Sequence, residues 1–152
     1  MKSFLGLLFF LSALASAHAR LGETETEMIA RFGQPALRSK HSTIAQGKSW
    51  DLGPSFYFRQ DDWQIHCDLI DGRCVRIRYG KVGDWTEEQI QLVLAYNCQG
   101  IKWTETSNQS LTKLKRTWKR SDGATAEWNH GSGMKMVVPA YDRAKQVVEA
   151  KA

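Results

Sequence analysis

Cysteine and proline are scarce, with three of each in 152 residues. So little cysteine excludes a disulfide-dense mini-scaffold, and so little proline excludes a polyproline or collagen-like chain. Beyond residue 19 no apolar run approaches the roughly 18 residues that a membrane helix needs. No transmembrane segment is therefore expected after that point. There are no sustained heptads and no nucleic-acid-binding motif, so neither a coiled coil nor a nucleic-acid partner is expected. The nucleophile elbow G-x-S-x-G is missing too. His130-Gly131-Ser132-Gly133 comes nearest, but it bridges two predicted strands with no helix behind it. Asp61-Asp62 reads as a turn and Glu87-Glu88 as the first turn of a helix. Neither pair suits general acid–base work.

The first nineteen residues, MKSFLGLLFFLSALASAHA, are of another kind. One basic residue, Lys2, precedes an apolar run from Phe4 to Leu14, and Ala17 and Ala19 form an A-x-A cleavage site. This is the pattern of a secretory signal peptide, so a secreted or periplasmic location is expected. Residues 20–152 then make a single α+β domain of 133 residues, long enough to close one core. One of the 21 Lys+Arg leaves with the signal and all 16 Asp+Glu remain, so its formal charge is +4. No cysteine follows the cleavage site, so no lipid anchor is expected.

Two stretches open alike. L-G-E-T-E-T-E-M-I-A-R-F-G-Q-P (21–35) and V-G-D-W-T-E-E-Q-I-Q-L-V-L-A-Y-N (82–97) each run from Gly and an acidic residue into Thr and an acidic first helical turn. Thr24 with Glu27, and Thr86 with Gln89, have the spacing of capping boxes. Met28, Ile29 and Phe32 form one apolar stripe, and Ile90, Val93 and Leu94 the other. Gly33 and Gly100 end the helices. Strands follow at about 55–59, 63–69 and 73–79, and again at 114–120, 125–129 and 134–138. Arg38–Gly53 reads as irregular, Thr104–Thr112 as a polar loop, and the tail from Pro139 as a short helix. The expected architecture is α+β, with duplicated helix plus three-stranded antiparallel meander units and helices packed on sheet. The two repeats cover about 21–81 and 82–141.

The G-x-T-x-x-E/Q helix ending in G-x-P, followed by aromatic-bearing strands, resembles the SmpA/OmlA (BamE-like) envelope domain. The tandem arrangement is similar to that of β-lactamase-inhibitor-type proteins. The resemblance covers Gly22–Tyr79 best. The chain departs from the envelope branch in lacking a lipidated cysteine, and Asn97-Cys98 stands where the second helix would end in G-x-P. The resemblance implies a small exported protein that works by binding other proteins.

Asp71-Gly72 suits a three-residue hairpin loop, which would set Cys67 opposite Val75 and Asp68 opposite Cys74. Ile65, Cys67, Leu69, Val75, Ile77 and Tyr79 then share the core face, and His66, Asp68, Cys74, Arg76 and Arg78 the other. An odd cysteine count leaves room for one bridge with a spare thiol, an intermolecular bridge, or three idle thiols. If one bridge forms, strand and helix phase favour Cys67–Cys98. His66, Asp68 and Cys74 are metal-like in type, but no fourth ligand follows and Arg76 and Arg78 lie beside them, so no metal and no cofactor are expected.

The second meander has Trp118, Ala126, Trp128, Met134, Met136 and Val138 on its core face. Lys115, Lys119, Thr125, Glu127 and Lys135 lie on the other, with Lys113 and Arg116 just upstream. This basic surface suits an anionic partner. Trp50 and Trp103 fall in irregular segments and are the tryptophans expected to be partly exposed, available for stacking or flat contacts. Lys113, Lys115, Lys119, Lys135, Trp50 and Trp103 therefore make the candidate binding surface. Asn108-Gln109-Ser110 is a formal glycosylation sequon. The function expected is non-catalytic binding of another macromolecule, a protein of the envelope or extracellular space. A carbohydrate or anionic envelope polymer is the alternative partner, and a metal-dependent enzyme the remaining one.

Overall fold

The structure is a computed structural model and describes residues 20–107 and 114–151. The expected signal peptide, the Asn108 sequon and Lys113 lie outside the described residues. In chain order the elements are α1 (Glu25–Phe32), β1 (Leu37–Ala45), β2 (Lys48–Gln60), β3 (Trp63–Ile70), β4 (Arg73–Lys81), α2 (Glu87–Tyr96), β5 (Thr104–Glu105), β6 (Lys115–Lys119), β7 (Thr125–Asn129), β8 (Gly133–Val137) and α3 (Pro139–Lys151).

All eight strands join one antiparallel sheet, in the order β1-β2-β3-β4-β8-β7-β6-β5. This corrects the architecture of helices packed on separate three-stranded meanders. The joint lies where β4 pairs with β8, from Arg76↔Val137 to Tyr79↔Met134. Left alone, each of these strands would present a row of unpaired N–H and C=O groups, and joining them satisfies both rows.

Arg38–Gly53 is not irregular. It forms β1 and the start of β2, closed by a two-residue turn at Gln46-Gly47, both with positive φ. Only His41 and Ala45 of β1 are buried, so the alternation that betrays a strand is missing. The hairpin shifts register between His41 and Ser42, beside Gly53. Gly53 has φ +142°, and a Cβ there would sit 2.2 Å from the Leu69 carbonyl oxygen. Only glycine fits this crossing.

The β3–β4 hairpin is also corrected. Its loop has two residues, Asp71-Gly72, with φ of +50° and +73°, and Ile70 faces Arg73. The register starts at Leu69↔Cys74 and then shifts, so that Asp68 faces Arg76 and Cys67 faces Ile77. This bulge turns Cys74 into the core and returns the rest of β4 to the expected phase. Cys67 and Cys74 are both fully buried and unbridged. A hydrogen bond with Cys74, reinforced by burial, pushes the Cys67 thiol well above its ordinary range. The neighbour of Cys67 is thus Cys74, in place of the expected Cys98, which is also a free thiol and only partly buried.

Both capping boxes form. The Thr24 hydroxyl accepts from the Glu27 N–H and that of Thr86 from the Gln89 N–H, while each third residue's side chain reaches back to the cap N–H. Met28, Ile90, Val93 and Leu94 then enter one core cluster with Ile65, Cys67, Leu69, Ile77, Tyr79, Trp118, Trp128 and Met136. Helices α1 and α2 therefore cover one face of the sheet. Helix α3 lies over the other, where the Arg76 guanidinium packs 4.4 Å from the Tyr141 ring and His41 stacks on it.

One polar knot sits inside the core. Asn97, at the end of α2, accepts from the Leu21 N–H at 3.0 Å and donates to the Tyr79 hydroxyl at 2.9 Å. Arg120, only 2% exposed, donates to the carbonyls of Asn97 (2.5 Å) and Cys98 (3.2 Å), to Gln99 and to the Asp122 carboxylate.

Two measurements test this arrangement. Arg120→Met should lower the unfolding free energy by roughly 3–5 kcal/mol in chemical denaturation, because it strands the carbonyls at the α2 terminus and the carboxylate of Asp122. A pulse of iodoacetamide on the folded protein should modify Cys98 first, with Cys67 and Cys74 reacting only after denaturant is added. Equal labelling of all three in native buffer would contradict the bulged register.

Candidate functional site

The face of the sheet turned away from α1 and α2 is mostly polar, with Val137 its buried apolar member and α3 lying over part of it. Its rows follow from the registers. In one row Ser39, Ser55, Asp68, Arg76, Val137, Thr125, Lys119 and Thr104 succeed one another across all eight strands. In the next, Tyr57, His66, Arg78, Lys135, Glu127 and Thr117 cross six strands. Arg59 and Gln64 lie in a third row at one end and Asn129 and Lys115 at the other.

Asp68 anchors this face. Its side chain is fully buried, and it accepts from the Ser55 hydroxyl at 2.6 Å and from the Arg76 guanidinium. Burial pushes its carboxyl up, but the Ser55 hydrogen bond and the Arg76 charge outweigh burial and hold it below the ordinary carboxylate value. Arg76 in turn donates to the Tyr141 hydroxyl, which fastens α3 to the sheet.

His66 stands beside this pair, with Ser55 Oγ 2.5 Å from Nε2 and Arg78 Nη2 2.7 Å from Nδ1. Burial first, and the Arg78 charge second, push the imidazole below its usual range, so it is neutral at pH 7. A guanidinium can only donate, so Nδ1 accepts and the ring proton sits on Nε2. That proton is given to Ser55 Oγ, and Ser55 gives its own to Asp68. The three residues look like a nucleophile with its base, but the imidazole offers Ser55 no lone pair. The cluster does not activate the serine. It orients two arginines.

The face is strongly basic. Among the described residues it carries Arg59, Arg76, Arg78, Lys115, Lys119 and Lys135 against Asp68 and Glu127. Lys115 pairs with Glu127 at 2.7 Å, which lowers the Glu127 carboxyl. Arg78 lies directly opposite Lys135 across the β4–β8 joint, a like-charge placement that weakens a sheet. Arg78 remains 44% exposed and Lys135 is exposed.

Lys115, Lys119 and Lys135 thus share one surface, as their alternation predicts, while Lys113 lies outside the described residues. Four residues depart from the expected surface and cluster. Trp103 is 9% exposed, donates its indole N–H to the Leu94 carbonyl and lies beneath the Arg120 guanidinium. Trp50 is half-buried in β2, paired with Thr43 in the far part of the first hairpin. Neither tryptophan joins the basic face. Arg116 points to the opposite side, where it ion-pairs with Glu87 and Glu105. Cys74 faces the core, so it does not converge with His66 and Asp68. Arg59 was readable from strand alternation. The meeting of Arg78 with Lys135 was not, because it depends on which strands join.

No protein-family model matches the chain, and no curated protein matches it. Among solved structures, a cysteine-rich secretory protein from Staphylococcus aureus subsp. aureus Mu50 is similar over 80% of this chain and 45% of that one, at 8% identity and a TM-score of 0.49. The chain spans less than half the length of that structure, and the likeness is too slight to bear on fold or activity.

The pH dependence of stability follows from the two shifts. Folding depresses His66, so only the unfolded chain takes up its proton as the pH drops through about 6.5, and stability starts to fall there. The Asp68 contribution is whole above the unfolded value of about 3.9 and is lost as pH falls through the lower folded value. Denaturation curves from pH 3 to 8 should therefore be flat near neutrality and decline in two stages. His66→Gln should flatten the first stage. Asp68→Asn should cost roughly 3–5 kcal/mol at pH 7, because it leaves Arg76 without its carboxylate. An unchanged profile in His66→Gln would remove the proposed neutral state of the imidazole.

Proposed function

We propose that this chain is an exported, non-catalytic protein that binds another macromolecule through the polar face of its sheet, and that the partner presents an acidic patch. The observation that carries the reading is the Arg78–Lys135 pair at the centre of that face. Asp68, 3.8 Å from Arg78, and Glu127, opposite Lys135, offset only part of the repulsion between two cations set directly opposite each other, so their placement makes sense toward a partner. Ser55, His66 and Asp68 hold Arg78 in a fixed orientation, which lowers the entropy cost of engaging it.

Helix α3 covers part of this face, over β1, β2 and β4, and the open part runs from Arg78 and Lys135 to Lys115 and Lys119 as a spread of separate cations, which suits an extended acidic surface over a small ligand. The resemblance of residues 21–35 to the SmpA/OmlA helix, and the signal-peptide pattern of residues 1–19, favour a protein of the envelope or extracellular space as that partner.

The purified chain should capture a protein from its own envelope extract, with affinity that falls as salt rises. Arg78→Glu combined with Lys135→Glu should reduce capture at least tenfold while leaving the circular-dichroism spectrum unchanged. Equal recovery by the double variant, or no protein recovered by the parent chain, counts against the reading.

A further inference from the structure

A cleft opens at one end of the sheet, where the Gln64 end of the polar face meets the turn before β8. The ladder between β4 and β8 stops at Tyr79↔Met134, but β4 continues through Gly80 to Lys81. Gly133 begins β8 with φ +88°, and a Cβ there would lie 2.0 Å from the Tyr79 carbonyl oxygen. This close approach is open only to glycine. Beyond it the His130–Ser132 turn leaves a cavity of about 230 Å³, lined by Gln64, Lys81, Asp84, Trp85, Trp128 and His130 together with glycines and Ser132.

Two indoles wall this cavity and both are held. Trp85 meets Trp63 edge-to-face, with centroids 5.1 Å apart and planes at 83°. Trp128 meets His130 at 6.2 Å and 72°. Trp128 is 6% exposed, and its indole N–H has no acceptor among the described residues. Gln64 and His130 are exposed at the rim and offer planar donors and acceptors.

Charge narrows the ligand further. One cation and one carboxylate, Lys81 and Asp84, line the cleft, and the Lys81 ammonium donates to the Asp84 carbonyl at 3.2 Å. The local balance favours neither an anion nor a cation, unlike the basic face. The lining is more polar than apolar, which disfavours an acyl chain. Rigid aromatic walls with amide, imidazole and carboxylate groups at the rim fit a ring that is apolar on its faces and hydroxylated around its edge. We propose that this cleft binds a neutral saccharide, stacked against Trp85, with its hydroxyl groups hydrogen-bonded by Gln64 and His130 at the rim.

The test is calorimetric titration of the purified chain with cellotetraose, maltotetraose and chitotetraose, alongside tetragalacturonate as an acidic probe. At least one neutral oligomer should bind saturably, with a blue shift of tryptophan emission. Gln64→Ala with His130→Ala alters only rim residues, so folding is preserved, and it should weaken binding at least tenfold. Arg78→Glu with Lys135→Glu should leave it unchanged, which separates this site from the basic face. The proposal is overturned if no neutral oligomer binds, if the rim variant binds within twofold of the parent, or if only tetragalacturonate binds.

Discussion

Arg120 buries a guanidinium within the core, and the packing of α2 on the sheet depends on how that charge is satisfied. It donates to the carbonyls of Asn97 and Cys98 beyond the last turn of α2 and to the side chains of Gln99 and Asp122. A cation at the C-terminal end of a helix meets both the unpaired carbonyls and the negative pole of its dipole. Desolvation of the charge is thereby offset, and the helix end is tied to the turn after β6. Asn97 carries the connection onward to Leu21 near the start of the described chain and to Tyr79 of β4. Below Arg120, Trp103 closes the core and donates back to Leu94. Helix, sheet and N-terminal segment are thus locked by groups that must all be placed before any is satisfied.

The second constraint is the joint between β4 and β8. It turns two meanders into one sheet, and so gives one side of the molecule a continuous core and the other a largely polar face that α3 partly covers. Each face obeys its own rule. On the core side Tyr79 and Met134 meet over a glycine that permits close approach of the backbones. On the polar side Asp68 collects Ser55 and Arg76, and Tyr141 of α3 seals the group. The charges are largely settled within the sheet, with Lys115 matched by Glu127. Arg78 has Asp68 at 3.8 Å and Lys135 has Glu127 opposite, and the joint sets these two cations face to face.

Helices α1 and α2 were legible in the sequence, because a capping box and an apolar stripe are local signals that need no tertiary partner, and α3 was legible from Pro139 at its start. The two faces of β3 and β4 were legible for the same kind of reason, since alternation is a property of a single strand. Lys115, Lys119 and Lys135 could be placed together by alternation across β6, β7 and β8. The first hairpin could not be read, because β1 is solvent-exposed on most positions and carries no alternation. Cys74 was misplaced because a two-residue turn and a one-residue bulge cancel further along the strand, leaving no trace in the hydrophobic pattern. Trp103 was expected near the surface because its segment is irregular. Only the arrival of Arg120 over its ring explains its burial.

The sequence by itself determined the elements whose causes are local: the caps, the glycine turns, the apolar stripes and the sign of charge along β6 to β8. Tertiary structure alone decided that β4 and β8 are neighbours, that Arg78 faces Lys135, and that Trp85 and Trp128 wall a common cleft. These contacts join residues fifty or so positions apart, and the energy that selects them is shared among core packing, backbone pairing and the buried Asn97–Arg120 knot. No short window of sequence contains that sum.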